Sequence, residues 1–364
     1  MKYPAILPFG EILPRLNAFD AIIDVRSPSE FAEDHLPGAI NLPVLNDEER
    51  VRVGTLYKQT SAFEAKKLGA ALIAANIARH IEEHFLGHAQ NWKPLVYCWR
   101  GGNRSGAMVH ILARIGWPVT QLDGGYKEYR RHVNAELAEL PARFDFINVL
   151  CGPTGSGKSR LLQVLDRQSA QVIDLEHLAA HRGSVLGGLP EADQPSQKAF
   201  ESSLWQQLRH FDPALPVFVE SESKKVGRLR VPDALMEKMR AADCTAVQLD
   251  TRHRVQLLID DYGHFVSDPE QLNLQLSHLT QLHGREKIHH WQQLALAGRM
   301  AELVEELLLQ HYDPAYQQSI KRNFSRYEQA APLVLNDISE QAFELAATAL
   351  CAIVGKCGGQ TRRV

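Results

Sequence analysis

Two short stretches of this 364-residue chain gather side chains able to do chemistry. LVYCWRGGNRSGAM, residues 95–108, runs an apolar strand into Cys98 and then through Arg100, Gly101, Gly102, Arg104 and Ser105, with a helix expected to start near Ser105. A helix N-terminus offers unpaired N–H groups and partial positive charge. The two arginines add full charges, and the two glycines let successive N–H groups turn inward as an anion nest. Such a setting stabilises a thiolate and suits nucleophilic or carrier chemistry at Cys98. A purely structural cysteine at a strand end would require neither the arginines nor the glycines.

The second stretch, CGPTGSGKS at 151–159, fits GxxxxGK[ST] from Gly152 to Ser159. It follows an apolar strand, FINVLC, and opens a helix, SRLLQVL, which is the context that pattern requires. Gly152, Thr154, Gly155, Ser156 and Gly157 would wrap backbone N–H groups around a phosphate. Lys158 would neutralise terminal phosphates, and Ser159 would ligate Mg²⁺ where a metal is used. A di- or triphosphate is implied by the loop, whereas a nucleotide base is not, and the chain has no Asn-Lys-x-Asp signature of common GTPases. Glu220 and Glu222, after the strand PVFVES, and Arg182, behind Asp174 and Glu176, are candidate supports for this site. Cys151 reads as packing, and His283, His289 and His290 as solvated helix positions without metal-ligand spacing.

These loops need sheets to hold them. In the first half AIIDVR (21–26), PLVYC (94–98) and VTQLDGG (119–125) read as strands, and 68–88 and 107–117 as helices. In the second half 146–151, 171–176, 216–221 and 246–250 read as strands, with helices at 196–211 and from about 268 to 310. Such alternation predicts an α/β protein with mostly parallel sheets. A charged helix, 126–144, stopped by Pro141, is expected to connect the halves. The expected organisation is a domain over 1–135 that carries the reactive Cys, a linker helix end over 136–145, and a phosphate-loop domain with a helical extension over 146–364.

Composition bounds the rest. Hydrophobic residues at 45% and charged residues at 23% describe an ordinary globular chain. Five cysteines with no CxxC pair argue against a disulfide framework or a zinc site, and a cytoplasmic location is expected. The N-terminus lacks a sustained apolar core, and no stretch approaches membrane-spanning length. The formal net charge of -3 does not advertise nucleic-acid binding, but basic clusters stand at Arg130, Arg131 and Arg143, at Lys224–Arg230, and at Arg252 and Arg254. Solvated surface is the plainer reading of any one cluster.

IIDVRSPSEFAEDHLPGAINLP (22–43) and the stretch from LVYC to DGGYKEY resemble a rhodanese domain over about residues 14–135. That resemblance implies that Cys98 accepts a chalcogen as a persulfide-type adduct, with Arg104, Ser105 and loop N–H groups holding the terminal anion. Asp24 and Arg26 fall on the family's first-strand motif and read best as a loop-bracing ion pair. Ordinary sulfur-transferring loops of that family have four residues between the cysteine and the closing residue. Here there are five, as in the related dual-specificity phosphatases, which suits a phosphate or an atom larger than sulfur.

Together with CGPTGSGKS, DLEHLAAHRGS and VESESKKVG, the chain resembles the bacterial tRNA 2-selenouridine synthase family over essentially its whole length. The resemblance implies an N-terminal rhodanese-like parallel-sheet domain followed by a P-loop NTPase-like α/β domain with a helical C-terminal part. It also implies that wobble 2-thiouridine of tRNA is first geranylated on sulfur by geranyl diphosphate. Selenium from selenophosphate then replaces that sulfur through a Cys98 perselenide. Mg²⁺, tRNA and a selenophosphate-supplying enzyme are the implied cofactor and partners, and Arg228, Arg230, Arg252 and Arg254 are candidate tRNA contacts. An NTP-dependent sulfurtransferase of rhodanese type is the alternative.

Overall fold

The computed structural model describes residues 3–184, 186–188 and 193–354. By spatial grouping the chain forms two units, Met1–Glu136 with Glu201–Gln206, and Leu137–Phe200 with Gln207–Val364. In the first unit five strands form one sheet: β1 (Ala5–Leu7), β2 (Ala21–Asp24), β3 (Ala39–Asn41), β4 (Pro94–Tyr97) and β5 (Thr120–Leu122). Their order is β1-β5-β4-β2-β3, and every neighbouring pair is parallel. Parallel sheets are covered on both faces, so their inner strands read as uninterrupted apolar runs. All four residues of β4 are buried. Its partner helix, Asn103–Ile115, buries Met108, Val109 and Leu112 in a core shared with Ile23, Val96 and Trp117.

The second unit has its own five-stranded sheet: β6 (Ile147–Cys151), β7 (Gln171–Ile173), β8 (Val217–Glu220), β11 (Asp243–Gln248) and β12 (Ala331–Val334), with a hairpin, β9 (Lys225–Val226) and β10 (Leu229–Arg230), after β8. The sheet order is β12-β11-β6-β8-β7, again parallel throughout. The helix Lys158–Arg167 lays Leu161, Leu162 and Leu165 against Phe218, Val247 and Phe343. Beyond β11 the chain is largely helical, with Leu276, Trp291 and Leu303 in a separate apolar core.

The fold is thus α/β with two parallel sheets, a second unit with the strand–loop–helix of a P-loop domain, and a helical C-terminal part. The strands read from sequence are present. β1, β3 and β12 are additions, edge strands of three or four residues too short to show a period, and so are the two-residue strands β9 and β10 of the hairpin. The connecting helix runs Gly125–Arg143 and includes Pro141 rather than ending before it. The proline sits in the last turn, where one missing N–H disrupts little of the ladder.

Two groups of charged residues are buried in the first unit. Asp24 and Arg26 do form the expected brace, but fully buried: the carboxylate accepts from Arg26 Nη2 at 2.6 Å and from its backbone N–H at 2.9 Å. The guanidinium lies 3.8 Å from the centre of the Tyr126 ring. Arg130, read as solvated, is also buried, and donates to Ser202 at 3.0 Å and to Glu201.

Removing one partner of a buried pair strands the other charge. Asp24→Ala is therefore expected to lower stability by about 3–5 kcal/mol in urea unfolding of the full chain. A loss below about 1 kcal/mol, the size of an exposed pair, would contradict the bracing role.

Candidate functional site

In the first unit Cys98 immediately follows β4, and the helix begins at Asn103, two residues before the expected start. The first intrahelical bond runs from Gly106 N–H to Gly102 carbonyl, so the N–H groups of residues 103–105 are those of an open helix start. The Cys98 side chain is 3% exposed, and Ser105 Oγ donates to its sulfur at 3.2 Å. Gln121 Nε2 donates to Ser105 Oγ at 3.0 Å and to Gly101 carbonyl at 2.6 Å, fixing both hydroxyl and loop. The loop is closed from behind by Tyr126 N–H on Cys98 carbonyl at 2.8 Å. Gly125 allows that approach: a Cβ there would stand 2.2 Å from the same carbonyl oxygen.

Cys98 and Ser105 are thus brought together. Arg104 is largely buried and engaged by Glu30 at 2.6 Å, and Arg100 is exposed. Burial alone would raise the Glu30 carboxyl, but hydrogen bonds and charge from Arg104 outweigh it and hold Glu30 below its usual range. Gln121 and Glu30 escaped the sequence reading because both come from elements remote from the loop.

In the second unit the loop after β6 curls at Gly155 and Gly157, both with positive φ, into the helix at Lys158. Gly152 must lack a side chain, since a Cβ would lie 2.4 Å from Ser156 Oγ. Lys158 Nζ donates to Gly152 carbonyl at 2.6 Å, which sets the ammonium across the loop mouth. A cavity of about 500 Å³ opens here, lined by the phosphate loop together with Arg182, Glu222 and Tyr316. Arg182 stacks on Tyr262, 4.4 Å from its ring centre, and also donates to Asp261 carbonyl.

Carboxylates gather behind the loop. Ser159 Oγ donates to Glu176 at 3.0 Å, and the backbone N–H of Glu176 donates to Glu220 at 2.9 Å. Glu220 is 1% exposed, and its Oε2 has no hydrogen-bond partner among the described residues. Burial first, then the charges of Glu176, Asp174 and Glu222, push its carboxyl well up. An orphaned buried carboxylate oxygen in hard-oxygen surroundings fits a divalent cation such as Mg²⁺, which Ser159, Glu176 and Glu220 would hold. Such a cation would add positive charge facing bound phosphates.

The basic candidates separate. Arg228 and Arg230 are exposed on the hairpin, where Arg228 also donates to Gln194 carbonyl, and Arg252 is exposed at the start of the helix Thr251–Asp261. Arg254 is not a surface contact. It is 5% exposed, pairs with Asp313 at 2.6 Å and donates to Thr154 carbonyl at 2.8 Å, so it braces the phosphate loop. His283 is half-buried against His311 at 3.0 Å rather than solvated, while His289 and His290 are exposed.

Next to the phosphate cavity lies an apolar one that shares Thr154, Ser184, Leu258, Tyr262 and Tyr312 with it and continues between Phe265, Met300 and Leu303. Individual helix residues gave no sign of it, because its walls come from four separate α-helices, the segment Leu308–Tyr312 and loop residues such as Thr154 and Ser184.

A cysteine loop after the central strand of one parallel sheet and a phosphate loop after the central strand of another define a rhodanese-type domain joined to a P-loop domain. Residues 10–132 match the family model of the rhodanese-like domain, and residues 145–271 that of the tRNA 2-selenouridine synthase AAA domain. A Sulfurovum sp. protein named tRNA 2-selenouridine synthase is 34% identical over 354 residues, 87% of this chain and 95% of the relative. One of that name from Shewanella loihica is 32% identical, covering 88% of this chain and 92% of the relative. For another, from Nitrosomonas europaea, identity is 37%, but the match spans 66% of this chain and 63% of the relative, just under two thirds of its length. The chain belongs to the tRNA 2-selenouridine synthase family.

The carboxylate group yields a pH prediction. Burial, then the charge of Glu176, pushes Glu222 from 4.5 up to about 8. The folded chain then holds that proton more tightly than the unfolded chain, so its contribution is fully present below pH 4.5 and is lost as pH rises toward 8. Glu222→Gln should flatten the decline of unfolding free energy over that window in urea titrations without divalent cations. An unchanged slope would contradict the assignment.

Proposed function

We propose that this protein is an enzyme that converts 2-thiouridine at the tRNA wobble position to 2-selenouridine in two stages. Its family membership supports the overall modification, and the apolar cavity opening beside the phosphate loop carries the finer reading. That neighbouring cavity is apolar but only about 70 Å³, room for part of a prenyl chain and not for the polar base of a nucleotide, so geranyl diphosphate is the ligand proposed for the two adjoining cavities.

In the first stage the thiocarbonyl sulfur attacks C1 of the geranyl group. The C–O bond breaks, its electron pair leaves with the diphosphate, and the base gives up its N3 proton. Lys158 and the loop N–H groups from Gly152 to Ser159 face the charge that develops on the leaving group. Mg²⁺ held by Ser159 and its neighbouring carboxylates would supply further positive charge. A thiocarbonyl sulfur is a poor leaving group, and alkylation converts it into a good one.

In the second stage selenium from selenophosphate replaces the alkylated sulfur: water takes the phosphoryl group, the hydroselenide set free beside Cys98 attacks C2 of the base, and the C–S bond breaks with geranyl thiolate leaving. Overall, S-geranyl-2-thiouridine, selenophosphate and water give 2-selenouridine, geranyl thiol and phosphate, with selenium at the selenide level in both donor and product. Ser105, the open helix start and the five-residue loop suit an anionic selenium donor beside the thiol. A selenophosphate-supplying enzyme is the implied partner, and exposed Arg228, Arg230 and Arg252 are the proposed contacts to the tRNA backbone.

Cys98→Ser should abolish selenation while S-geranylated tRNA accumulates, as read by nucleoside mass spectrometry. Loss of both activities in a folded variant would refute this division of labour. Lys158→Ala should lower geranylation by about 10²-fold or more, the cost of removing one charge-stabilising donor. Normal geranylation by that variant would remove the phosphate loop from the reaction.

A further inference from the structure

The helix Ala62–His80 passes directly into a π-helical turn, Ile81–Phe85. Such turns are rare and occur frequently at functional sites. Within the stretch HIEEH, residues 80–84, positions three and four apart share one helix face. His80, Glu83 and His84 meet there: one nitrogen or carboxylate oxygen from each lies within 4.8 Å of the others. The imidazoles of His80 and His84 are 5.9 Å apart, centre to centre, with their planes 29° from parallel. His84 Nε2 stands 3.7 Å from a Glu83 oxygen. The backbone beneath them is anchored, because Ile77 and Phe85 on either side are buried in the core that contains Cys98 and Trp92.

His80 is the buried member, 6% exposed. Its Nε2 is 2.9 Å from the Pro43 carbonyl oxygen, which can only accept, so Nε2 carries the proton. Nδ1 keeps its lone pair, buried and without a hydrogen-bond partner among the described residues. Burial, the largest influence, lowers the His80 pKa and keeps the ring neutral. An unpartnered buried polar atom is costly and calls for a physical reason. A metal-ligating histidine has this arrangement: one ring N–H donated to a backbone carbonyl, the other nitrogen bare. A solvated helix end requires no such buried lone pair.

We propose that His80, Glu83 and His84 form a Zn²⁺ site, with His80 Nδ1 as its buried ligand and water completing the coordination. Two imidazoles and a carboxylate are a donor set that zinc takes with a fourth position open. Mg²⁺ and Ca²⁺ prefer all-oxygen surroundings, so this site differs in selectivity from the carboxylates behind Ser159. Tetrahedral zinc needs donors about 3.3 Å apart, given bonds of about 2.0–2.1 Å. The side chains of Glu83 and His84 are half-exposed and can turn to close the remaining distance. The lack of paired cysteines bears on thiolate sites and leaves this one untouched. Bound zinc would fix His80 against Pro43 and so hold the helix end to the segment after β3, where Asn76 also donates to the Val44 carbonyl at 3.1 Å.

The test measures Zn²⁺ binding to the full-length chain by titration calorimetry in excess Mg²⁺, with X-ray absorption at the zinc edge to identify the ligands. The variants are His84→Ala, Glu83→Gln and His80→Gln, the last keeping an N–H donor for the Pro43 carbonyl while removing Nδ1. His289→Ala, at an exposed position of the second unit, is the control. The wild type should bind Zn²⁺ with a shell of nitrogen and oxygen at about 2.0–2.1 Å. Each of the three site variants should weaken binding by about tenfold or more, and His289→Ala by less than about twofold. No zinc bound by the wild type would overturn the site. A shell dominated by sulfur at about 2.3 Å would assign the ion to cysteines and overturn it as well. So would unchanged affinity in His84→Ala, or an equal loss in His289→Ala, the mark of non-specific surface binding. His84 is half-exposed, so its variant decides the matter even where His80→Gln fails to fold.

Discussion

Both sites depend on one constraint: a buried parallel strand that passes through a glycine loop directly into a helix. The strand, covered on both faces, fixes where its last residue lies. The helix then starts with N–H groups that no preceding turn can satisfy. In open parallel sheets these helix starts collect at the carboxyl edge of the strands, where ligands bind. β4 delivers Cys98 to such a start, and β6 delivers Gly152. The close approaches at Gly125 and Gly152 leave no space for a side chain, so the loop path and the site are determined together.

What differs between the units is how charge is distributed around that shared geometry. In the first unit the cation nearest the helix start, Arg104, is balanced by Glu30, and the thiol is met by the neutral hydroxyl of Ser105. In the second, Lys158 and Arg182 face a cavity while a group of buried carboxyls stands behind Ser159. Carboxyls gathered in that way repel one another and are raised by burial, a costly arrangement that a bound cation would relieve. The same cavity borders an apolar hollow, with which it shares Thr154, Leu258 and Tyr262.

Much of this was legible in the sequence because it is local. Apolar runs ending in Cys98 or Cys151, followed by glycines and an amphipathic helix, announce a strand, loop and helix without help from elsewhere in the chain. Charged residues were harder to place. Arg130 and Arg254 look like surface cations until Glu201 and Asp313 are brought to them across 71 and 59 residues of sequence. The apolar hollow has the same character, since Leu258, Phe265 and Met300 each look like ordinary helix core and only packing makes them a cavity wall. Edge strands such as β1 are set by pairing with a neighbour rather than by their own few side chains. Tyr316 carried no signal because nothing near it in sequence belongs to the phosphate loop.

In the proposed function one chain carries out both the alkylation and the selenium exchange on wobble 2-thiouridine. Mass spectrometry of wobble nucleosides tests it most directly, in cells lacking this protein and in the same cells supplied with the full chain, with and without selenium. The account predicts that 2-selenouridine and S-geranyl-2-thiouridine are both absent without the protein. With it, the geranylated form should appear when selenium is withheld and 2-selenouridine when selenium is given. Unchanged 2-selenouridine in cells without the protein would contradict it.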